Sequence, residues 1–95
     1  MSETTLLVVA KMVAKPGQAE ALKRVLSQCI EPSRREAGNI HYDLYRSVED
    51  QETFLFHERW QNGAAIDEHE RSAHFQTLLE QAGPLLAQAP EITKI

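Results

Sequence analysis

The sequence predicts an α+β fold of the ferredoxin-like kind, ordered β-α-β-β-α-β. Two β-rich runs, Ile40 to Ser47 and Thr53 to Trp60, are separated only by a polar stretch and form a hairpin. An amphipathic helical stripe lies before the hairpin and another after it, and further β-type segments sit near both ends. Such an order places helices on one face of an antiparallel sheet.

Each element has its own warrant. Thr5 to Val13 is apolar and β-branched, and Lys15-Pro16-Gly17 supplies the turn that ends this first strand. Leu22, Val25, Leu26, Cys29 and Ile30 recur at helical spacing from Gln18 onward, with Glu20, Lys23, Arg24 and Gln28 on the opposite face. Pro32 lacks the N–H that would bond one turn back, so the helix is expected to kink in a last turn through Glu36 and to stop at Gly38. In the hairpin, alternation puts Ile40, Tyr42, Leu44, Phe54, Phe56 and Glu58 on one face, and His41, Asp43, His57 and Arg59 on the other. Asn62-Gly63 closes the hairpin and Ala64 to Arg71 forms a short helix. Ser72 then caps a second segment, with the stripe Phe75, Leu78, Leu79, Ala82 and Leu86 bent at Gly83-Pro84. Glu91 to Ile95 is a weak last strand.

With 95 residues, 42% of them hydrophobic and 25% charged, the chain is one domain, 1–95, with a limited core. A chain of this size buries roughly 60 to 65% of its unfolded surface. Leu6, Leu7, Val8 and Val9 are apolar on both faces of the first strand, as when both faces are covered. A second copy of the chain is therefore expected on the sheet face that the helices leave open. Ten basic and fourteen acidic residues are interspersed, for a net charge of −4, so no nucleic-acid partner is expected. The run Leu6 to Ala10 is far short of the roughly 18 residues of a membrane span and has no basic leader before it. One cysteine, Cys29, excludes an internal disulfide and any CxxC motif. Together these point to a cytoplasmic protein without membrane association.

Glu58 is the first chemical candidate, because Phe54, Phe56 and Trp60 on its face would desolvate it and raise its pKa. The plainer reading is a carboxylate bonded to a backbone N–H or to Arg46. His69 and His74 are candidate bases near neutral pH, or else helix-surface and capping residues. On one continuous helix their five-residue separation turns through about 500°, leaving the rings about 140° apart and unable to share an ion. Only a break at Ser72 brings them together. His41, Asp43 and His57 share a sheet face and offer three metal donors, though polar pairs are ordinary at an interface. Cys29, on the buried stripe, reads as a core residue. No phosphate loop, nucleophile elbow or dinucleotide fingerprint is present, so no cofactor is expected.

The strand ending in Lys15-Pro16-Gly17, the segment Gly38-Asn39-Ile40-His41-Tyr42-Asp43-Leu44-Tyr45-Arg46, the strand Phe54-Leu55-Phe56-His57-Glu58-Arg59-Trp60, and His69-Glu70-Arg71-Ser72-Ala73-His74-Phe75 together resemble the antibiotic biosynthesis monooxygenase family, in particular its small bacterial quinol monooxygenases. The resemblance runs from Leu6 to about Ile92. It implies a dimeric α+β barrel, two sheets packed face to face, and oxidation of quinols or related phenols by O₂ without flavin, haem or metal. Position by position, it carries Glu58, His69 and His74 as catalytic residues, and Trp60, Phe75, Tyr45 and Asn39 as substrate-binding ones. Three other readings stand beside it. A haem-degrading branch has an Asn on the first strand, and Leu6 to Val13 has none. A branch acting on small phosphorylated signalling sugars would need phosphate partners, for which Lys11, Lys15 and Arg46 are the obvious residues. The same pocket could also serve a non-catalytic binding module.

Overall fold

In the computed structural model, which describes residues 5–95, each predicted element is present. The strands are β1 (Leu6–Val13), β2 (Asn39–Arg46), β3 (Thr53–Trp60) and β4 (Glu91–Lys94). The helices are α1 (Ala19–Ser27), α2 (Ile30–Arg34), α3 (Gly63–Arg71) and α4 (Ala73–Ala82), and a 3₁₀ turn at Gly83–Leu85 follows α4. The sheet is antiparallel throughout, in the order β2-β3-β1-β4. Two strands joined through a helix therefore flank β3, which is the split arrangement expected of the ferredoxin-like order.

Local chemistry accounts for the punctuation. Gly17 takes φ +83° behind Pro16, and the Gln18 N–H bonds to the Lys15 carbonyl at 2.9 Å, giving a type II turn that frees the chain for α1. The long first helix is in fact two. Pro32 cannot donate to the carbonyl of Gln28, and the helical ladder lapses at Gln28 and Cys29 before α2 resumes. Glu36 consequently lies beyond α2, in the turn into β2, rather than in a last helical turn. Asn62 caps α3 by accepting the Ala65 N–H at 2.9 Å. Ser72 ends α3 and begins α4, taking ψ 154° and accepting the Phe75 N–H at 3.2 Å.

Alternation sorts the sheet as expected. Val8, Ala10, Met12, Tyr42, Phe54, Phe56, Glu58 and Trp60 are buried under the helices, with Leu22, Leu26, Cys29, Ile66, Leu78 and Ala82 facing them. Tyr42 pairs with Glu58, and Leu44 with Phe56. Ile40 departs from the expected face. A bulge between Asn39 and His41 absorbs it, and the residue is left exposed. The opposite sheet face has no helix, and its residues include Leu7, Val9, Leu55, His57, His41 and Tyr45. No helix among the described residues is long and apolar enough to cross a membrane.

Gly38 governs how closely α3 approaches the turn that carries Glu36. A Cβ at this position would collide with the Cβ of Ala65 on α3. Gly38→Ala is therefore expected to cost about 1–3 kcal/mol, as overpacking does. The check is thermal unfolding of Gly38→Ala, Ala65→Gly and the double variant. The double variant should be less destabilised than the sum of the single losses, and simple additivity would show that this contact does not set the spacing.

Candidate functional site

The break at Ser72 brings His69, near the end of α3, and His74, in the first turn of α4, to one point. His69 Nδ1 and His74 Nε2 both lie 2.7 Å from the same Glu36 oxygen, Oε2. An ionised carboxylate only accepts, so both ring nitrogens donate, and this fixes the proton of His69 on Nδ1. The Ser72 hydroxyl donates to the His69 carbonyl at 2.6 Å while accepting from Phe75, so a single side chain stitches the two helix ends together.

His69 is buried and ringed by aromatic groups. Trp60 lies 4.6 Å away between ring centroids, Phe75 5.0 Å edge-on and Tyr42 5.5 Å edge-on. Burial lowers its pKa from the usual histidine value, the Glu36 hydrogen bond partly opposing the shift, so the ring is neutral at pH 7. Its Nε2 makes no hydrogen bond among the described residues and is not sealed from open space. The acceptor lone pair on that nitrogen thus has no partner among the described residues.

His69 lines a cleft between sheet and helices, together with Tyr42, Phe56, Glu58, Phe75 and Leu78; Leu79 and Ile92 stand at its exposed rim. The free interior is about 20 Å³, room for a water molecule, so an aromatic ring enters only if the rim parts. Glu58 is 5% exposed, and its Oε1 accepts the Trp60 indole N–H at 2.9 Å. Burial pushes its carboxyl up to about 7, with the Glu70 and Glu36 charges adding to the rise and the Trp60 bond opposing it. Near neutral pH a proton is therefore shared between Glu58 and solvent on nearly equal terms.

Of the residues expected from the sequence, Glu58, His69 and Phe75 line this cleft, Trp60 backs it through Glu58 and His69, and His74 reaches it through Glu36. Tyr45 and Asn39 do not line it. Tyr45 pairs with Leu55 on the helix-free face and is exposed, because odd-numbered positions of β2 after the bulge point that way. Asn39 sits at the start of β2, where its side-chain amide donates to the His41 carbonyl at 3.0 Å. On the helix-free face, His41 Nε2 and His57 Nδ1 lie 2.9 Å apart with the rings stacked, while Asp43 pairs with Arg34 at 3.1 Å. These three do not converge as metal donors. Arg46 is held by Glu20 at 2.9 Å, and Lys11 and Lys15 are exposed. Cys29 is a core thiol, raised in pKa by burial and bonded to Ser33 and Tyr42.

Sequence reasoning missed Glu36 and Tyr42 as site residues. Glu36 meets partners 33 and 38 residues away, which no local spacing signals. Tyr42 could have been found, since it pairs across the hairpin with Glu58.

Comparison with known proteins agrees with the fold. The family model described as "Antibiotic biosynthesis monooxygenase" matches residues 5–81. A Mycobacterium tuberculosis protein named "Putative monooxygenase" is 37% identical over 90% of this chain and 84% of its own length. An uncharacterised Synechocystis protein is 34% identical over 96% of this chain, which spans only 62% of that relative. The crystal structure of a Pseudomonas aeruginosa protein superposes with a TM-score of 0.92 at 37% identity, covering 100% of this chain and 94% of the other.

The raised pKa of Glu58 has a consequence for stability. Between its ordinary value of 4.5 and about 7, the folded chain binds a proton that the unfolded chain has released, so this group makes stability fall as pH rises through that window. Glu58→Gln, neutral throughout, abolishes the fall. Relative to wild type, the variant should gain up to on the order of 3 kcal/mol between pH 4 and pH 8. Denaturant titrations across this range test it, and a difference that does not vary with pH would contradict the assignment.

Proposed function

The chain belongs to the antibiotic biosynthesis monooxygenase family, and from that premise we propose that it oxidises quinols or related phenolic aromatics with O₂, using no cofactor. The observation that carries this reading is His69, a buried neutral imidazole at the wall of an aromatic cleft, with Nδ1 held by Glu36 and Nε2 without a hydrogen-bond partner among the described residues.

A quinol gives an electron to O₂ readily only as its anion, so deprotonation in a dry site is the task the protein performs. His69 Nε2 takes the phenolic proton, and the Glu36 carboxylate stabilises the imidazolium that forms. Glu58, protonated on the oxygen that Trp60 does not occupy, donates to the new oxyanion. One oxygen atom enters the ring and the other leaves as water, with the substrate supplying all the electrons. Phe75 and Tyr42 flank the ring and are apt to stack on it.

The same reading assigns the helix-free sheet face to a second copy of the chain. Leu7, Val9, Val13 and Leu55 form its apolar part, with Tyr45 beside them. The expected species in sedimentation at micromolar concentration is a dimer, and Val9→Arg, which puts a charge at the middle of that face, is expected to yield a folded monomer. A monomeric wild type would remove this part of the proposal.

Activity is tested by O₂ uptake with menadiol-like quinols in the presence of a metal chelator, after subtraction of the spontaneous rate. His69→Gln should lower kcat by about 10²–10⁴-fold. The rate should fall above about pH 7 as Glu58 ionises and repels the quinolate, and Glu58→Gln should remove that fall. Unchanged rates in both His69→Gln and Glu36→Gln would overturn the mechanism.

A further inference from the structure

Glu36 Oε2, His69 Nδ1 and His74 Nε2 all lie within 4.8 Å of one another, the one such group of three His, Cys, Asp or Glu donors among the described residues. They come from three segments, the α2–β2 turn, α3 and α4, and each segment is fixed independently by Gly38 against Ala65 and by the Ser72 caps. Two imidazole nitrogens and one carboxylate oxygen form a borderline-soft donor set, suited to Zn²⁺ and its neighbours and poorly suited to Mg²⁺ or Ca²⁺. Three protein donors leave a fourth position for water.

We propose that Glu36, His69 and His74 form a binding site for a divalent transition-metal ion, Zn²⁺ foremost, whose occupancy excludes the hydrogen-bonded arrangement that makes His69 a base. The argument is one of lone pairs. An ion takes the Nδ1 lone pair of His69, so the ring proton must move to Nε2 by exchange with solvent. Nε2, which carries the lone pair in the free protein, then carries the proton. The ion and the phenolic proton thus compete for one imidazole.

The geometry asks for side-chain adjustment. Tetrahedral bonds of about 2.0–2.2 Å put neighbouring donors about 3.3–3.6 Å apart, so each nitrogen must part from the carboxylate oxygen, now 2.7 Å away, by about 0.6–0.9 Å, and the two nitrogens, which lie within 4.8 Å of each other, must settle at that same spacing. The side chains of His74 and Glu36 are 23% and 17% exposed, so they can supply that movement while buried His69 stays fixed. His74 also lines a surface groove with Gln28, Cys29 and Thr77, which gives an ion a route from solvent that does not pass through the cleft.

The inference goes beyond the proposed oxidase activity and is tested without it. Untagged full-length protein is titrated with Zn²⁺ against a chromophoric chelator, and with Co²⁺ for its visible absorption. One saturable equivalent per chain is expected, weakened at least tenfold in His74→Ala and in Glu36→Gln. The double variant His41→Ala/His57→Ala, altered on the opposite sheet face, should bind as the wild type does. Histidine ¹⁵N spectra should show the His69 proton moving from Nδ1 to Nε2 on adding Zn²⁺. Because His74 is partly exposed, His74→Ala is expected to stay folded by circular dichroism, and it carries the test if Glu36→Gln does not fold. Absence of saturable binding, binding unaffected by His74→Ala, loss of binding in the His41/His57 variant, or a His69 proton that stays on Nδ1 would each overturn the proposal.

Discussion

The site depends on one oxygen atom. Glu36 Oε2 receives an N–H from His69 and another from His74, and each bond to an ionised acceptor contributes about 1.5–3 kcal/mol. Those bonds tie the turn after α2 to both helices that roof the cleft. They also compensate the cost of placing an imidazole among Trp60, Phe75 and Tyr42, where little water reaches it. Without that acceptor, the His69 Nδ1–H would be a buried donor with nothing to receive it, and the proton could as well sit on Nε2. The carboxylate therefore decides which ring nitrogen of His69 carries the proton.

Two glutamates serve this cleft and their surroundings differ in kind. Glu36 sits at the edge of the protein with two donors converging on one oxygen, an environment that suits a negative charge. Glu58 is buried beneath the helices with a single indole donor, and its carboxyl is pushed up to about 7. The charge of Glu36 is the smallest of the causes that raise Glu58, after burial and the charge of Glu70.

Most of the fold was legible in the sequence because its signals are local. Pro16-Gly17 makes the turn, Pro32 breaks the helix, Ser72 separates two helices, and alternation in β2 and β3 puts Tyr42 and Glu58 on one face. The candidate site was half legible. Glu58 was marked by the aromatics on its own strand face, and the two histidines were marked as able to meet only if the chain broke at Ser72. Glu36 was hidden because its role is created by tertiary contact alone. The end of the first helix was placed too late for a related reason. Pro32 acts through the carbonyl of Gln28, four residues earlier, so the break falls before the proline rather than after it.

Register explains why Glu58, and not its neighbour His57, lines the cleft. In β3 the period of two allows either Phe54, Phe56, Glu58 and Trp60, or Leu55, His57 and Arg59, to face the helices, and a slip by one residue would exchange the sets. The first set contains three large aromatic side chains whose burial outweighs the cost of one carboxyl that can hold its proton; the second would bury an arginine that cannot lose its charge. Gly38 adds a second constraint, since close packing on Ala65 pins the chain just before β2 starts. The bulge at Ile40 reconciles the two by taking up one residue between that anchor and Tyr42. Exposure of one isoleucine is the local cost of keeping Tyr42 across from Glu58 while Glu36, just before the anchor, still reaches both histidines.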